Sequence, residues 1–210
     1  MSLRVMLIRH GETPANVRHV LDSRPPGPSL TGMGRRQAAA LAERLADEPV
    51  AAVYASVATR ARETAEPLAK THGLPLVVVD GVHELQVGDL EGRSDDAAMT
   101  LFGQVFTRWA EGDLAAAMPG GESGEEIRAR YFPALREIQD RHPDGLVLLV
   151  SHGGVIRLVA DWLCDNIGAQ LANARPLPNT GHVLMEWRGS GSRVGWQAGW
   201  HCLEWTGVDL

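Results

Sequence analysis

Four short apolar segments recur along the chain, separated by longer stretches in which apolar and polar positions mix. They cover residues 5–8, 51–56, 74–79 and 146–150. Continuous apolar runs of this length are typical of strands buried on both faces of a parallel sheet. The run at 146–150 contains only leucine and valine, so we place it at the centre of the sheet.

Between the first two apolar runs and after the second, apolar residues recur with helical spacing. Thr31 is the expected N-cap of a helix that continues to about Ala46. A second helix is expected after Ser56, with Ser56 as its cap and Arg60 in its first turns. The helices in this part of the chain should cover the sheet.

The second half of the chain continues the pattern. Residues 95–109 predict an amphipathic helix, and we interpret the segment 95–121 as a lid or cap. Ser123 and Glu126 match a capping box that opens another helix. Residues 155–163 predict a helix directly after the fourth apolar run.

Strands that alternate with helices in this way predict a parallel sheet with helices on both faces. The expected fold is therefore a single α/β domain over residues 1–210, a three-layer α/β/α sandwich with a mostly parallel central sheet. Residues 181–187 and 199–205 alternate like strands around a Gly/Ser turn, which favours a hairpin at the sheet edge.

The segment 14–29 carries four prolines, which we expect to exclude regular helix and to stiffen a loop. Its polar residues are candidates for contacting a ligand. They are Asn16, Arg18, Ser23 and Arg24.

Composition narrows the classes of function. The chain has 210 residues, of which 44% are hydrophobic, and a formal net charge of -6. An acidic chain of this kind argues against an extended nucleic-acid or anionic-membrane surface, so a small anionic ligand would need a local cationic pocket.

The cysteine content and the apolar pattern bear on the compartment. Cys164 and Cys202 are the only cysteines and lie in no metal-binding pattern, which argues against a disulfide framework or a structural zinc and favours a reduced cytoplasmic compartment. No run approaches the ~20 apolar residues of a membrane span, and no secretory leader is visible, so we expect an unsecreted protein without a membrane span. The sequence leaves a homodimer open.

Three predicted strands end in residues that carry chemistry. His10 follows the first strand, between Arg9 and Gly11, and Glu84 lies just past the third. His152 follows the fourth strand and precedes Gly153, where backbone N–H groups can face an anion. Because ligands of parallel sheets bind beyond the carboxyl ends of the strands, we expect these residues to converge.

This set of residues suits phosphate better than a metal ion. Arg9, Arg60 and one histidine can neutralise a phosphoryl group, while the other imidazole is a competent nucleophile. Phosphoryl transfer needs mainly positioning and cationic donors, so we expect neither a metal nor a cofactor.

Five motifs, taken in order, carry a resemblance to a known family. They are LIRHGET at 7–13, SxxxRAxETA from Ser56, ExxxGxxEG from Glu84, GGES at 120–123 and SHGG at 151–154. In this order the chain resembles the histidine phosphatase superfamily, which also contains the cofactor-dependent phosphoglycerate mutases. The resemblance implies the phosphoglycerate mutase-like form of the α/β sandwich.

The resemblance also implies roles for single residues. It makes His10 a phosphohistidine, lets Arg9, Arg60 and His152 hold the phosphoryl group, and makes Glu84 the proton donor to the leaving oxygen. Three further positions are expected to bind the substrate. These are Asn16, Gly153 and either Asp22 or Ser23, of which we favour Ser23 because a carboxylate would repel phosphate.

Mutases of this family carry extra basic residues that hold a second anionic group, whereas residues 111–121 here contain no Lys or Arg. We therefore expect a phosphatase that acts on a small phosphorylated metabolite. A phosphoglycerate mutase and a protein-directed or non-catalytic phospho-binding member remain the alternatives.

Overall fold

The computed structural model describes residues 2–189 and 199–207. Six strands form one sheet in the order β3-β2-β4-β1-β5-β6. Their bounds are β1 Leu3–Arg9, β2 Val50–Ser56, β3 Leu76–Val79, β4 Gly145–Ser151, β5 His182–Trp187 and β6 Trp200–Trp205. Parallel pairs join β1 to β4, β4 to β2 and β2 to β3, while β5 pairs antiparallel with β1 and β6.

The all-aliphatic strand β4 lies between β1 and β2, which confirms its predicted central position. Five of its seven residues are the leucines and valines of the run at 146–150, and all five are buried. The register pairs Arg9 with Ser151, so β1 and β4 end side by side. The residues that follow them, His10 and His152, therefore start their loops at the same edge of the sheet.

Helices cover both faces of the sheet, as the alternation of elements predicted. Their bounds are α1 Pro14–Val17, α2 Gly32–Arg44, α3 Thr59–Thr71, α4 Asp96–Ala110, α5 Gly124–Arg141, α6 Gly153–Leu163 and α7 Ala169–Ala174. Alternate residues of a strand point to opposite faces. Accordingly Met6 and Ile8 pack with α2 and α3, whereas Val5 and Leu7 pack with α4, α5 and α6.

Two of the predicted caps are confirmed, and one is wrong. Thr31 accepts a hydrogen bond from the Gly34 amide, and Ser123 with Glu126 forms the complete capping box. Ser56 does not cap α3, because that helix begins at Thr59 with Ala58 as its N-cap and no side-chain cap. The Ser56 hydroxyl instead contacts His152.

The expectation that prolines exclude helix from residues 14–29 is also wrong at its start. Residues Pro14–Val17 form one helical turn, capped by Thr13. Pro14 occupies the first helical position, where a missing N–H costs nothing because that group has no partner within the helix.

The C-terminal strands β5 and β6 form the antiparallel edge that the alternating pattern predicted. The Gly/Ser turn between them falls on residues 190–198 and lies outside the described residues. None of the helices in the described parts of the chain has the length and apolar character needed to cross a membrane.

Within the segment 95–121, α4 buries one face against the core through Val105, Phe106 and Trp109. Phe102, one helical turn before Phe106, lines a pocket at the carboxyl edge of the sheet. A lid role for residues 95–121 stays a prediction.

Candidate active site

A pocket of about 210 Å³ opens beyond the carboxyl ends of β1 and β4. Seven of the eight residues predicted for the site line it. These are Arg9, His10, Asn16, Ser23, Arg60, Glu84 and Gly153. The eighth, His152, is fully buried and lies behind His10, with ring centroids 5.2 Å apart in an edge-on arrangement.

The hydrogen bonds of His10 define which ring nitrogen carries the proton. Nδ1 lies 2.7 Å from the carbonyl oxygen of Gly11, which can only accept, so Nδ1 carries the hydrogen. Arg60 Nε donates to His10 Nε2 over 3.1 Å. Nε2 therefore carries a lone pair, as a nucleophilic imidazole requires, and this lone pair accepts the Arg60 hydrogen bond.

The surroundings of His10 favour its neutral form. Its ring is 4% exposed. Burial, followed by the charges of Arg60 and Arg9, lowers the pKa of His10 well below its ordinary value of 6.5. At neutral pH the imidazole is therefore unprotonated and able to attack phosphorus.

Arg60 enters the pocket from the first turn of α3 and is nearly inaccessible. Its Nη2 donates to the Asp22 carbonyl over 3.1 Å, and its Nη1 lies 3.9 Å from the Asp22 carboxylate. Arg9, at the end of β1, donates through Nη1 to the carbonyl oxygen of Leu177 over 2.5 Å. A buried guanidinium group, that of Arg60, and a half-buried one, that of Arg9, thus flank His10 and make the pocket suitable for a dianion.

His152 is held by the end of β2. Its Nε2 lies 2.9 Å from the Ser56 hydroxyl, and its Nδ1 is buried without a partner among the residues that the structure describes. Burial, then Arg60 and His10, lowers the pKa of His152 well below 6.5. The neutral His152 ring can donate one hydrogen bond while adding no charge to the site.

Glu84 meets the start of α6 instead of pointing into solvent. Its carboxylate accepts from the amides of Leu85, Gly154 and Val155 over 3.0, 3.1 and 2.8 Å. The N–H groups at this helix start, which we expected to face a ligand, therefore bind the Glu84 carboxylate. A Cβ atom on Gly154 would lie 2.9 Å from Glu84 Oε1, so only glycine lets the two approach this closely.

The two residues between which the sequence left the phosphate contact open have different partners. The Ser23 hydroxyl donates to Glu91 over 2.6 Å and accepts the Val87 amide over 3.3 Å. The neighbouring Asp22 presents its carboxylate toward Arg60. Burial raises the pKa of the Asp22 carboxyl, and Arg60 opposes this. Both residues line the pocket, and a phosphate contact by Ser23 stays a prediction.

Asn16, in the short helix α1, lines the pocket. Its Oδ1 accepts from the Thr13 amide and from Asn179 Nδ2, both over 3.1 Å. Asn179 Nδ2 also donates to the carbonyl oxygen of His10 over 3.1 Å. Asn179 thus ties Asn16 to the loop of His10, a contact that the sequence analysis missed because 163 residues separate the two asparagines.

Two further residues were missed. Thr64 accepts the Gly11 amide over 2.9 Å and donates to the Arg60 carbonyl over 2.7 Å, so it joins the His10 loop to α3. Its spacing of four residues from Arg60 on a helix was the available signal. Arg157 on α6 also lines the pocket, and its guanidinium lies 4.5 Å from the ring centroid of Phe106.

The donor set of the described residues offers no site for a metal. Nowhere in residues 2–189 and 199–207 do three His, Cys, Asp or Glu side chains come close enough together to hold an ion.

Comparison with known proteins identifies the class to which this fold and site belong. The sequence profile of the histidine phosphatase superfamily, branch 1, matches residues 5–198. The chain belongs to this superfamily.

Among characterised relatives, a metal-independent phosphoserine phosphatase of Arabidopsis thaliana is 35% identical over 74% of this chain. A PE-PGRS family protein of Mycobacterium tuberculosis is 29% identical over the whole of this chain. The chain spans 66% of the length of the first relative and 37% of the second. A probable phosphoglycerate mutase of Photorhabdus laumondii is 32% identical over 72% of this chain and 70% of its own.

Solved structures show the same architecture. A mycobacterial glucosyl-3-phosphoglycerate phosphatase superimposes with a TM-score of 0.80 at 27% identity, covering 99% of this chain and 100% of its own. The α-ribazole phosphatase of Shigella flexneri gives a TM-score of 0.72 at 25% identity, with 99% and 100% coverage. The phosphoglycerate mutase-like α/β fold predicted from the sequence is therefore confirmed.

Proposed function

We propose that this protein is a phosphomonoesterase that hydrolyses a small phosphorylated metabolite through a phosphohistidine on His10. One observation carries the proposal. The His10 Nδ1 hydrogen is fixed on the Gly11 carbonyl, which leaves an unprotonated Nε2 directed at Arg60, with the guanidinium groups of Arg60 and Arg9 on its two sides. A nucleophile with a defined lone pair, set among cations, suits attack on a phosphate ester.

In the first step, Nε2 of His10 forms a bond to phosphorus while the bond from phosphorus to the ester oxygen breaks. Arg9, Arg60 and His152 stabilise the charge on the phosphoryl oxygens, and Glu84 gives a proton to the departing alcohol. In the second step, water attacks phosphorus, Glu84 takes back a proton, and the bond to His10 breaks. Inorganic phosphate leaves, and both side chains return to their starting states.

The choice of phosphatase over mutase rests on the cations of the pocket. Its lining contains three of them, Arg9, Arg60 and Arg157, and none from residues 111–121. Since Arg9 and Arg60 flank His10, Arg157 is the one further cation in the pocket lining among the residues that the structure describes. The phosphatases among the relatives and structural neighbours support the same choice.

A mutase is the second candidate, favoured by Arg157 and by the relative named as a probable phosphoglycerate mutase. A panel of phosphorylated sugars, glycerates, phosphoserine and one phosphopeptide, assayed for released phosphate, tests both. We expect phosphate release from a small ester without added 2,3-bisphosphoglycerate. Faster interconversion of 2- and 3-phosphoglycerate, seen only after priming with the bisphosphate, would assign the mutase function instead. Turnover of the phosphopeptide alone would favour a protein-directed member.

We further propose that the reaction needs no metal, because the arginines already supply cationic charge at the phosphoryl site. Activity that is lost on chelation and restored by Mg²⁺ would contradict this. The cytoplasmic location and a homodimer also stay proposals. Cys164 and Cys202, both free and buried, fit a reduced compartment, and light scattering on the purified protein would give its oligomeric state.

A further inference from the structure

The GGES motif at 120–123 lies outside the pocket lining, yet its backbone packs tightly against the loop that carries Glu84. A Cβ atom on Gly121 would lie 2.6 Å from the carbonyl oxygen of Gln86. Glu122 donates its amide to that same carbonyl over 3.0 Å, and its carboxylate accepts the Gln86 amide over 2.8 Å. The motif therefore grips the loop two residues beyond Glu84.

Arg130, two turns into α5, holds the other side of that loop. Its Nη1 donates to the carbonyl oxygens of Gly81 and His83 over 2.7 and 2.8 Å, and its Nη2 donates to that of Glu84 over 3.1 Å. The same guanidinium forms a two-pronged pair with Glu122, over 2.7 and 2.9 Å. Every one of the five N–H groups of an arginine is thus used.

The pair is partly buried, with the side chain of Arg130 15% exposed and that of Glu122 16% exposed. Removing one member of such a pair leaves the other charge and several backbone carbonyls short of partners, so the loop would have to move. The capping box of Ser123 and Glu126 fixes where α5 begins, and therefore where along this helix Arg130 contacts the loop that carries Glu84.

We propose that Glu122 and Arg130 are positioning residues for Glu84. They bind the backbone of the loop that carries Glu84, while the amides at the start of α6 bind the Glu84 carboxylate. The inference rests on the proposed function, in which Glu84 delivers a proton to the leaving oxygen. A carboxyl that must meet this oxygen tolerates little displacement, since a shift of about 1 Å can cost roughly a hundredfold in rate.

The test compares two esters that differ in their need for a proton. An alkyl phosphate such as glycerol phosphate requires protonation of its leaving oxygen. The 2,4-dinitrophenolate released from 2,4-dinitrophenyl phosphate is a stable anion and leaves without a proton. Arg130→Lys keeps the charge but cannot span three carbonyls, and Glu122→Gln keeps the shape but removes the charge. We expect each to lower kcat/KM on the alkyl ester by roughly ten- to a hundredfold, and to leave kcat/KM on the dinitrophenyl ester within about threefold. The ratio kcat/KM is the readout because it reports the first step and not the hydrolysis of the phosphohistidine, in which Glu84 also acts.

A double-variant cycle separates positioning from general damage. In the Glu84→Gln background, Arg130→Lys should cause no further loss on the alkyl ester, because the proton donor it positions is already gone. Arg141→Ala is the matched control, since it breaks an exposed pair with Glu137 on the same helix. It should match the parent protein on both esters.

Equal losses on both esters, or an undiminished effect of Arg130→Lys in the Glu84→Gln background, would overturn the positioning role while leaving the proposed function intact. A Glu84→Gln enzyme as fast as the parent on the alkyl ester would instead overturn the role of Glu84, and the positioning role with it. Circular dichroism at the assay temperature shows whether each variant is folded. If Arg130→Lys unfolds, Glu122→Gln provides the same comparison, and unfolding of both would assign the pair to stability alone.

Discussion

At the scale of single residues, the site depends on imidazoles kept neutral inside a cationic pocket. His10 and His152 are both buried, and the arginine beside them disfavours a second positive charge. The carbonyl of Gly11 then selects the tautomer of His10 that carries a lone pair on Nε2, where it accepts the Arg60 hydrogen bond. A side chain without a nucleophilic nitrogen cannot replace this arrangement.

His10→Asn should therefore reduce turnover by at least roughly 10³-fold, because it removes the nucleophile while keeping a polar side chain of similar size. The parent enzyme, quenched during turnover, should carry an acid-labile, base-stable phosphate on His10. His142→Asn is the control, since His142 lies before β4 at the opposite end of the strand from the site. Persistent turnover in His10→Asn without phosphate on the protein would refute the assignment.

The same burial makes stability depend on pH. Because the pKa of His152 in the folded state is lowered, the unfolded chain takes up a proton below pH 6.5 that the folded chain does not. The free energy of unfolding should thus fall with decreasing pH, by up to about 1.4 kcal/mol per unit for this one group. Urea unfolding at pH 7.5 and 5.5 should show a smaller loss for His152→Asn than for the parent. Equal losses would show that His152 does not contribute to the pH dependence.

At the scale of elements, the backbone amides at two helix starts donate hydrogen bonds to acceptors of the chain itself. The first amides of α6 bind the Glu84 carboxylate. At the start of α3, the Thr59 amide donates to the Pro26 carbonyl over 2.8 Å, and the Arg60 side chain supplies the charge. These two helix starts therefore position the side chains of Glu84 and Arg60, both of which line the pocket.

Gly154→Ala tests the contact between α6 and Glu84. The added Cβ atom would lie 2.9 Å from both Glu84 Oε1 and Leu85 Cδ2, so the carboxylate must shift. We expect kcat on an alkyl phosphate to fall by roughly tenfold or more. Gly103→Ala in α4 is the matched control, because nothing lies within 4 Å of its added atom. It should raise stability by about 0.5–1 kcal/mol without changing kcat, and a similar kcat for both variants would refute the prediction.

At the scale of the whole molecule, the two arginines beside His10 belong to elements that pack on the apolar core. The two apolar clusters on either side of the sheet meet at β4, whose alternate residues belong to opposite clusters. Strand β1 and the packed helix α3 hold Arg9 and Arg60 near each other although their charges repel. An anion that binds between them should relieve the repulsion.

Inorganic phosphate should therefore stabilise the folded protein. At ten times its dissociation constant, a ligand that binds only the folded state adds about 1.4 kcal/mol to the free energy of unfolding. Thermal unfolding should shift upward with phosphate but not with chloride at equal ionic strength. Arg60→Gln should lose most of this shift, and an unchanged shift in that variant would place phosphate elsewhere.

The sequence by itself determined the strands, most of the helices and the chemical nature of the site. Strand β4 was predictable because a run of only five aliphatic residues, two of them β-branched valines, is typical of a strand buried on both faces. His10 and His152 were predictable because polar residues directly after buried strands lie at the sheet's carboxyl edge, whereas Glu84 follows the half-exposed edge strand β3 after a short loop. Such signals are local, or repeat along one element, so no knowledge of packing was required.

Tertiary structure alone decided which groups meet. The Ser56 hydroxyl binds His152 instead of capping α3, and Gly11 lacks a side chain because a Cβ atom there would lie 2.7 Å from the Gly34 carbonyl oxygen. The contact between Arg130 and the Glu84 loop spans 46 residues. Partners this distant in sequence leave no periodic pattern, because their approach depends on how the sheet and helices pack.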